Sequence, residues 1–188
     1  MNIYCNMPSL PEHQVRLLCN NITQMMTMRG YTHLGNTQPD TKQLYMDFTH
    51  DTRATMRIVL VLYPCEILLP IDKILNLLAK NWESEFMLIT AKVPTVGQIG
   101  KIPAGTELRT YDNFKINPFA GPYSAKSDRI LKFDDIAGVH YTSISDLPHM
   151  RQADSVAIWL GAVPGDVVES YMPTKAVPYR LIYRQVVS

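Results

Sequence analysis

Two short segments hold residue types that could hydrolyse a phosphodiester bond. Asp40 follows Pro39 ahead of a predicted hairpin, and Lys92 comes directly after a predicted strand. A Mg²⁺-dependent nuclease needs two carboxylates to hold the metal and a lysine beside the attacking water. The second carboxylate would stand two residues before the lysine, where the chain has Thr90. One hydroxyl does not replace that charge, so we expect no metal site and keep nuclease activity as an alternative function.

The cysteines and histidines form no recognisable site. Cys5, Cys19 and Cys65 are far apart and include no C-x-x-C pair, which argues against a disulfide framework or a zinc site and for a reducing compartment. The glycine spacings match neither a phosphate-binding loop nor a dinucleotide-binding motif. We therefore expect no catalytic residue and no cofactor. The five histidines fall in different predicted elements: His13, His33, His50, His140 and His149.

The net charge limits how this protein can contact nucleic acid. The 188 residues carry a formal net charge of +1, whereas a surface that binds many phosphates needs a clear surplus of Lys and Arg. Lys42, Arg53 and Arg57 flank the predicted hairpin. They form either an ordinary solvated face or a local contact with a phosphate backbone, which would position a duplex without reading its sequence.

We expect an intracellular protein without a membrane partner. The first residues, MNIYCNMPSL, lack a basic start and a long apolar core, and no run approaches the ~18 to 20 apolar residues that a membrane-spanning helix needs. Hydrophobic residues make up 46% of the chain, which suffices for one good core or two small ones.

The first predicted element is a helix over residues 10–29. Apolar residues recur there at helical intervals until Gly30, which ends the pattern. Ser9 and Glu12 have the spacing of a capping box, which predicts the start of the helix.

Strand patterns follow at residues 44–48 and 56–63, separated by a polar segment that suits a hairpin. A helix opening at Pro70 and a strand over residues 86–91 then complete a strand-helix-strand unit. Its two strands should be parallel, because such a connection crosses over the sheet. The N-terminal half is therefore predicted to be an α/β layer.

Residues 92–123 are rich in proline and glycine, which interrupt any long element. We set a domain boundary near residue 116, giving an N-terminal domain of residues 1–115 and a C-terminal domain of residues 116–188. A short helix is expected within residues 129–139.

The segment LPHMRQADSVAIWLGAVPGDVVES, residues 147–170, carries several local signals. Asp154 is a good helix N-cap, and Gly161 stops the apolar run behind it. Gly165 and Asp166 indicate a turn, after which a strand should pair with residues 178–187. The expected unit is a capped short helix followed by a hairpin.

The order of these motifs resembles the C-terminal assembly domain of the shared jaw subunit of eukaryotic RNA polymerases, a domain that has a small counterpart of its own in archaeal polymerases. Weaker similarities are Arg29-Gly30-Tyr31 after the first helix and Ile102-Pro103 near the middle. The matching positions are Leu147-Pro148, Ala153-Asp154, Trp159-Leu160-Gly161, Gly165-Asp166-Val167-Val168 and Tyr183-Arg184.

The resemblance implies an N-terminal jaw domain with a restriction-nuclease-like α/β fold and a mixed sheet, and a small α+β assembly domain with a hairpin and short helices. It implies a non-catalytic polymerase subunit that docks on the largest subunit, contacts other subunits and borders double-stranded downstream DNA. No small-molecule substrate is implied. DNA backbone contacts would involve Lys42, Arg53 and Arg57. The implied partner-interface residues are Pro148, Asp154, Trp159, Gly161, Gly165, Asp166, Val168, Tyr183 and Arg184.

The chain departs from the family pattern at two positions. The turn MPTKAVP, residues 172–178, has Lys175 where the family has an acidic residue, and Ser155 stands where the family usually has proline. The altered turn, the divergence of the N-terminal half and a C-terminal helix shorter than in the family suggest a large DNA virus. The protein would then occur in virions and host cytoplasm instead of the nucleus of a cell. The alternatives are a degenerate or active PD-(D/E)xK-like nuclease and a free-standing protein-binding module.

Overall fold

A computed structural model of the chain describes residues 10–40, 42–62, 84–121, 124, 128–131, 136, 143–173 and 180–188. The chain divides into two compact units, Met1–Ile116 and Asn117–Ser188. The boundary set from the sequence lies one residue earlier. Within the described parts, no helix is long and apolar enough to cross a membrane.

The N-terminal unit contains a five-stranded mixed sheet with the strand order β1-β2-β3-β4-β5. Strand β2 is antiparallel to both of its neighbours, β1 and β3, whereas β3, β4 and β5 are parallel. The central strands β3 and β4 are buried along almost their whole length, as expected for continuous apolar sequences. The strands are β1 (Thr32–Asp40), β2 (Gln43–Thr49), β3 (Met56–Val61), β4 (Glu85–Thr90) and β5 (Glu107–Thr110).

The first helix, α1, spans Glu12–Met28 and buries one apolar stripe that includes Ile22 and Met25. Its prediction is confirmed. The capping-box prediction is wrong, because Pro11 occupies the N-cap position without a side-chain cap and Glu12 is already the first helical residue. Gly30 has φ +86°, a left-handed conformation that leads the chain out of the helix.

The predicted hairpin of β2 and β3 and the parallel pairing of β3 with β4 are confirmed. The helix predicted from Pro70 lies outside the described residues. Three elements were not predicted from the sequence: β1 and β5, which form the two edges of the sheet, and the short helix α2 (Val96–Ile99). The β1 sequence, THLGNTQPD, lacks alternating apolar residues because an edge strand with exposed faces needs none.

Three polar contacts join the last part of the N-terminal unit to its helix and sheet. The Tyr111 hydroxyl, in a 3₁₀ turn, donates to the main-chain oxygen of Val61 at the end of β3. Asn21 Nδ2 donates to the Phe114 oxygen at 2.7 Å. The Arg29 guanidinium makes a two-bonded ion pair with Glu107, with distances of 2.8 and 3.0 Å. These contacts fix β5 beside the end of α1.

The C-terminal unit contains a four-stranded mixed sheet with the order β6-β8-β9-β7. Strand β7 pairs with β9 in parallel, and the other two pairs are antiparallel. The helix α3 (Ser155–Leu160) packs its Ala157 against Val168 and Val186 of the sheet. The strands are β6 (Asp128–Ile130), β7 (His149–Arg151), β8 (Val167–Met172) and β9 (Arg180–Val187).

A short helix is expected within residues 129–139, and at the start of that stretch Arg129 and Ile130 belong to β6. Ile136 is helical, and the rest of that stretch lies outside the described residues. The α3 helix and the β8–β9 hairpin are confirmed. Each unit combines helices with a mixed sheet, which confirms the mixed α and β class predicted from the sequence.

Candidate functional site

Asp154 and Gly161 set the two ends of α3. The Val156 amide donates to Asp154 Oδ1 at 2.8 Å, which satisfies a helix N–H that would otherwise lack a partner. Gly161 has φ +72°, and its amide donates to the Ile158 oxygen at 3.1 Å. Both residues therefore act by defining the helix.

Trp159 lies entirely inside the C-terminal unit, with an exposed fraction of 0%. Its ring meets Phe119 edge to face, with 6.0 Å between ring centroids and an interplanar angle of 62°. Val168 is also 0% exposed. These two predicted interface residues consequently cannot touch a partner directly, and any effect on docking must pass through the fold.

The turn at Gly165 and Asp166 ties the start of β8 to the end of β9. Gly165 has φ +102°, and its amide donates to the Val186 oxygen at 2.9 Å. The Val186 amide in return donates to the Asp166 oxygen at 2.8 Å. Asp166 Oδ2 also accepts from the Val163 amide at 2.8 Å. Gly165 thus provides the positive φ of this turn, and Asp166 provides acceptors for two main-chain amides.

Tyr183 and Arg184 are adjacent on β9 and face opposite sides of the sheet. Tyr183 lies opposite Glu169 of β8, and burial together with the Glu169 carboxylate raises the pKa of its hydroxyl. Glu169 also accepts from Arg129 Nε at 2.7 Å. On the other face, Arg184 Nη2 donates to Ser170 Oγ at 3.0 Å.

Asp128 of β6 lies opposite Ser170 of β8, and its side chain is on the same face of the sheet as Arg184. Both carboxylate oxygens of Asp128 are buried, and the neighbouring Ser170 hydroxyl acts on them without forming a hydrogen bond of good geometry. Burial raises the pKa of this carboxyl, and the nearby Ser170 hydroxyl and Arg184 charge oppose the shift only in part. This polar group was not predicted from the sequence, because no strand was predicted at Asp128–Ile130.

The outer part of the β8–β9 hairpin presents an apolar cross-strand pair. Tyr171 and Leu181 lie directly opposite each other, and each is 39% exposed. Of the predicted interface residues, Pro148, Gly161 and Gly165 are exposed. The sequences of β8 and β9 do not alternate apolar and polar residues, so no local signal identified Tyr171 and Leu181 as surface residues.

The three cations assigned to DNA do not form one patch. Lys42 precedes β2, whereas Arg53 follows its end. Since β2 has seven residues, they are separated by roughly 20 Å along the strand. Arg53 is exposed and interacts with the Tyr31 hydroxyl.

Arg57 lies on β3 and is already paired. Its Nε and Nη2 donate to the two carboxylate oxygens of Asp47 at 2.6 and 2.9 Å, and the Asp47 hydrogen bond raises the pKa of the guanidinium. The guanidinium also lies 5.8 Å from the centre of the Tyr45 ring. These contacts leave Arg57 less able than Arg53 to bind a phosphate.

Asp40 and Thr90, which a nuclease site would bring together, lie on strands that are not neighbours in the sheet. Asp40 ends β1, its partner is Gln43, and Gln43 pairs with Val61 on β3. Strands β2 and β3 therefore lie between Asp40 and Thr90, roughly 14 Å in three strand spacings.

The Thr90 hydroxyl is used locally, because it donates to the main-chain oxygen of Lys92 at 2.6 Å. Among the described residues, no group of three or more His, Cys, Asp or Glu side chains lies close enough to hold a metal ion.

Comparison of the sequence with protein-family models and with curated proteins finds no match.

Proposed function

We propose that this chain is a non-catalytic subunit of a multisubunit DNA-dependent RNA polymerase. In this proposal the N-terminal unit is the restriction-nuclease-like jaw domain and borders downstream DNA. The C-terminal unit is the assembly domain and docks on the largest subunit. Nucleotidyl transfer belongs to other chains of the complex.

One observation carries the proposal. The residues that resemble the assembly domain are the residues that determine the local geometry of the C-terminal unit. Asp154 caps α3, Gly161 ends it in the left-handed region, and Gly165 opens the turn into β8. Trp159 fills the core beneath them. A chance match of short motifs would not be expected to fall on a cap, a stop, a turn and a core position in one contiguous unit.

The Tyr171 and Leu181 pair is the docking contact that we assign within this unit. Tyrosine in a partly exposed apolar setting supplies a large contact area and a polar group, as is common where proteins associate. The pair lies on the same hairpin as Tyr183 and Arg184. Direct contact through Tyr171 and Leu181 accounts for docking without requiring the buried Trp159 or Val168 to reach the partner.

Affinity purification of the tagged chain from its source at high salt tests the proposal. We expect two very large chains to be recovered with it, and a Tyr171→Ala/Leu181→Ala variant to recover clearly less of both. Val163→Ala, at a residue that is 54% exposed in the same unit, is the matched control and should behave as the wild type. Recovery of the tagged chain alone would favour the free-standing binding module.

Contact with downstream DNA depends mainly on Arg53 in this proposal, since Arg57 is paired with Asp47. In the assembled polymerase, Arg53→Ala should weaken DNA retention about equally on unrelated sequences and make it less dependent on salt. Sequence-selective loss would contradict a backbone contact. Lys42→Ala is a useful comparison, because Lys42 lies at the opposite end of β2.

The nuclease alternative predicts Mg²⁺-dependent cutting of DNA that Asp40→Ala abolishes. The strand order speaks against it, because Asp40 and Thr90 lie on strands separated by two others. We also propose a large DNA virus as the source, with the protein in virions and the host cytoplasm. Detection of the chain in purified virions tests this location.

A further inference from the structure

The segment after β4 turns large apolar side chains towards solvent. Val93 is 73% exposed, Val96 is 87% exposed and Ile99 is 40% exposed. Val96 has the highest exposed fraction among the large hydrophobic residues of the described chain. We call residues 93–99 the apolar turn.

The apolar turn is held in shape by contacts at both ends. Pro94 is buried, and Ile102 packs against the core cluster that contains Val59 and Phe86. Because Pro94 and Ile102 are held against the protein, the fold itself directs the side chains of Val93 and Val96 towards solvent. An ordered apolar group loses little conformational entropy when a partner covers it.

Hydrogen bonds inside the apolar turn add to this order. The Thr95 amide donates to Gln98 Oε1 at 2.8 Å, and the Gln98 amide donates to the Thr95 main-chain oxygen at 2.9 Å. Within α2, Val96 and Ile99 are three residues apart, a spacing that brings side chains together on one helix face. Two of the three exposed side chains are thus presented side by side.

The sequence on either side of the apolar turn carries positive charge. Residues 91–106 include Lys92 and Lys101 and no acidic residue, and both lysines are exposed. A partner that covers the valines would therefore gain from carboxylates around its own apolar surface.

We infer that the apolar turn is a docking point for an acidic, apolar segment of another protein. The inference goes beyond the proposed function, because it concerns the N-terminal unit and does not require a polymerase. The residue types favour protein over the other macromolecules. A lipid surface is usually anchored by aromatic residues and several cations, and single-stranded nucleic acid by stacking aromatics. The apolar turn has valine, isoleucine and two lysines beside them.

Fluorescence anisotropy with the full chain and two synthetic peptides tests the inference. In one labelled peptide glutamates alternate with leucine and phenylalanine, and in the other every glutamate is replaced by lysine. We expect the acidic peptide to bind at least about tenfold more tightly, equivalent to about 1.4 kcal/mol. Equal binding of the two peptides, or no binding of the acidic one, would overturn the inference.

Variants locate the binding on the surface. Val93→Ser/Val96→Ser should weaken the acidic peptide about tenfold without changing the melting temperature, since both side chains are mostly exposed. Ile116→Ser is the matched control, because Ile116 is 77% exposed outside the apolar turn. Unchanged binding by the double serine variant would refute the assignment of the site.

Further measurements test the charge of the surface and the other molecules that could bind to it. Lys101→Glu should weaken the acidic peptide more than Lys115→Glu, which changes the net charge equally at another exposed site of the same unit. Equal effects would contradict a local charge contribution. Binding to phosphatidylserine vesicles, or self-association in sedimentation, that is lost in the double serine variant would replace the protein partner with a lipid surface or a second copy.

Discussion

Glu107 in the N-terminal unit and Asp128 in the C-terminal unit are carboxylates on edge strands with opposite surroundings. Arg29 and Arg109 both contact Glu107, at 2.8 and 2.7 Å. Burial alone would raise the pKa of that carboxyl, but the two arginines together hold it below its ordinary value. Asp128 is buried without a well-formed hydrogen bond among the described residues, and burial raises its pKa more than the nearby Ser170 hydroxyl and Arg184 charge lower it.

The difference between Glu107 and Asp128 shows how well each unit stabilises a buried carboxylate. The N-terminal unit uses a buried ion pair to attach the edge strand β5 to the end of α1. The C-terminal unit keeps a poorly satisfied carboxylate, which opposes folding when it is charged. Its folded state is stabilised instead by the packing of Trp159, by the caps and turns around α3, and by the ion pair between Arg129 and the buried Glu169.

Trp159→Ala should have the largest effect, because it removes the largest fully buried side chain. We expect a loss of about 3 to 5 kcal/mol in the free energy of unfolding. Thermal unfolding measures the loss, and hydrogen exchange should increase in residues 143–173 more than in β2 and β3. Val163→Ala should stay within about 0.5 kcal/mol of the wild type. An unchanged melting temperature for Trp159→Ala would contradict the packing of α3 described above.

Arg29→Met should cost about 2 to 3 kcal/mol, because it leaves a largely buried carboxylate with Arg109 as its remaining partner. Denaturant unfolding measures this change. The double variant Arg29→Met/Glu107→Met should recover much of the loss, since apolar residues can replace a buried pair. Arg16→Met is the control on the same helix, and its exposed pair with Glu12 should be worth less than about 1 kcal/mol. Equal losses for Arg29→Met and Arg16→Met would contradict the claim that the buried pair with Glu107 stabilises the N-terminal unit.

Asp154→Ala should cost about 1 kcal/mol, because the Val156 amide loses its acceptor. Asp154→Ser should retain most of the stability, as serine is also a good N-cap. In the N-terminal unit, Pro11→Ala should change stability by less than about 0.5 kcal/mol, since α1 has no side-chain cap. Thermal unfolding of the three variants tests whether caps matter more in the C-terminal unit.

The pH dependence should have opposite signs for the two carboxyls. The contribution of Glu107 is complete above its unfolded-state pKa, near 4.5, and is lost as the pH falls through its lowered folded value. Asp128 has a folded pKa raised above 3.8, so stability falls as the pH rises from 3.8 through the raised value.

Melting temperatures between about pH 3 and pH 6 test this prediction through two variants. Glu107→Gln should remove part of the destabilisation by acid. Asp128→Asn should remove part of the opposing stabilisation by acid, so that acid destabilises the variant more steeply. Slopes that change in the same direction in both variants would contradict the assignment.

The local elements of both units were predictable because their signals lie in neighbouring residues. The helical spacing of α1, the Asp154 cap, the Gly161 stop and the β8–β9 hairpin each need only a short window of sequence. The edge strands were missed for the opposite reason. A strand such as β1 is polar and exposed, and its conformation depends on pairing with β2.

By itself, the sequence determined α1, the central strands and the capped helix with its hairpin, because local propensity and apolar periodicity specify them. Tertiary structure decided which residues meet. It separated Asp40 from Thr90 by two strands and Lys42 from Arg53 by the length of β2. It also joined Arg29 to Glu107, which are 78 residues apart in the chain. Strand order and register bring distant residues together or keep them apart, and neither is encoded in a short window of sequence.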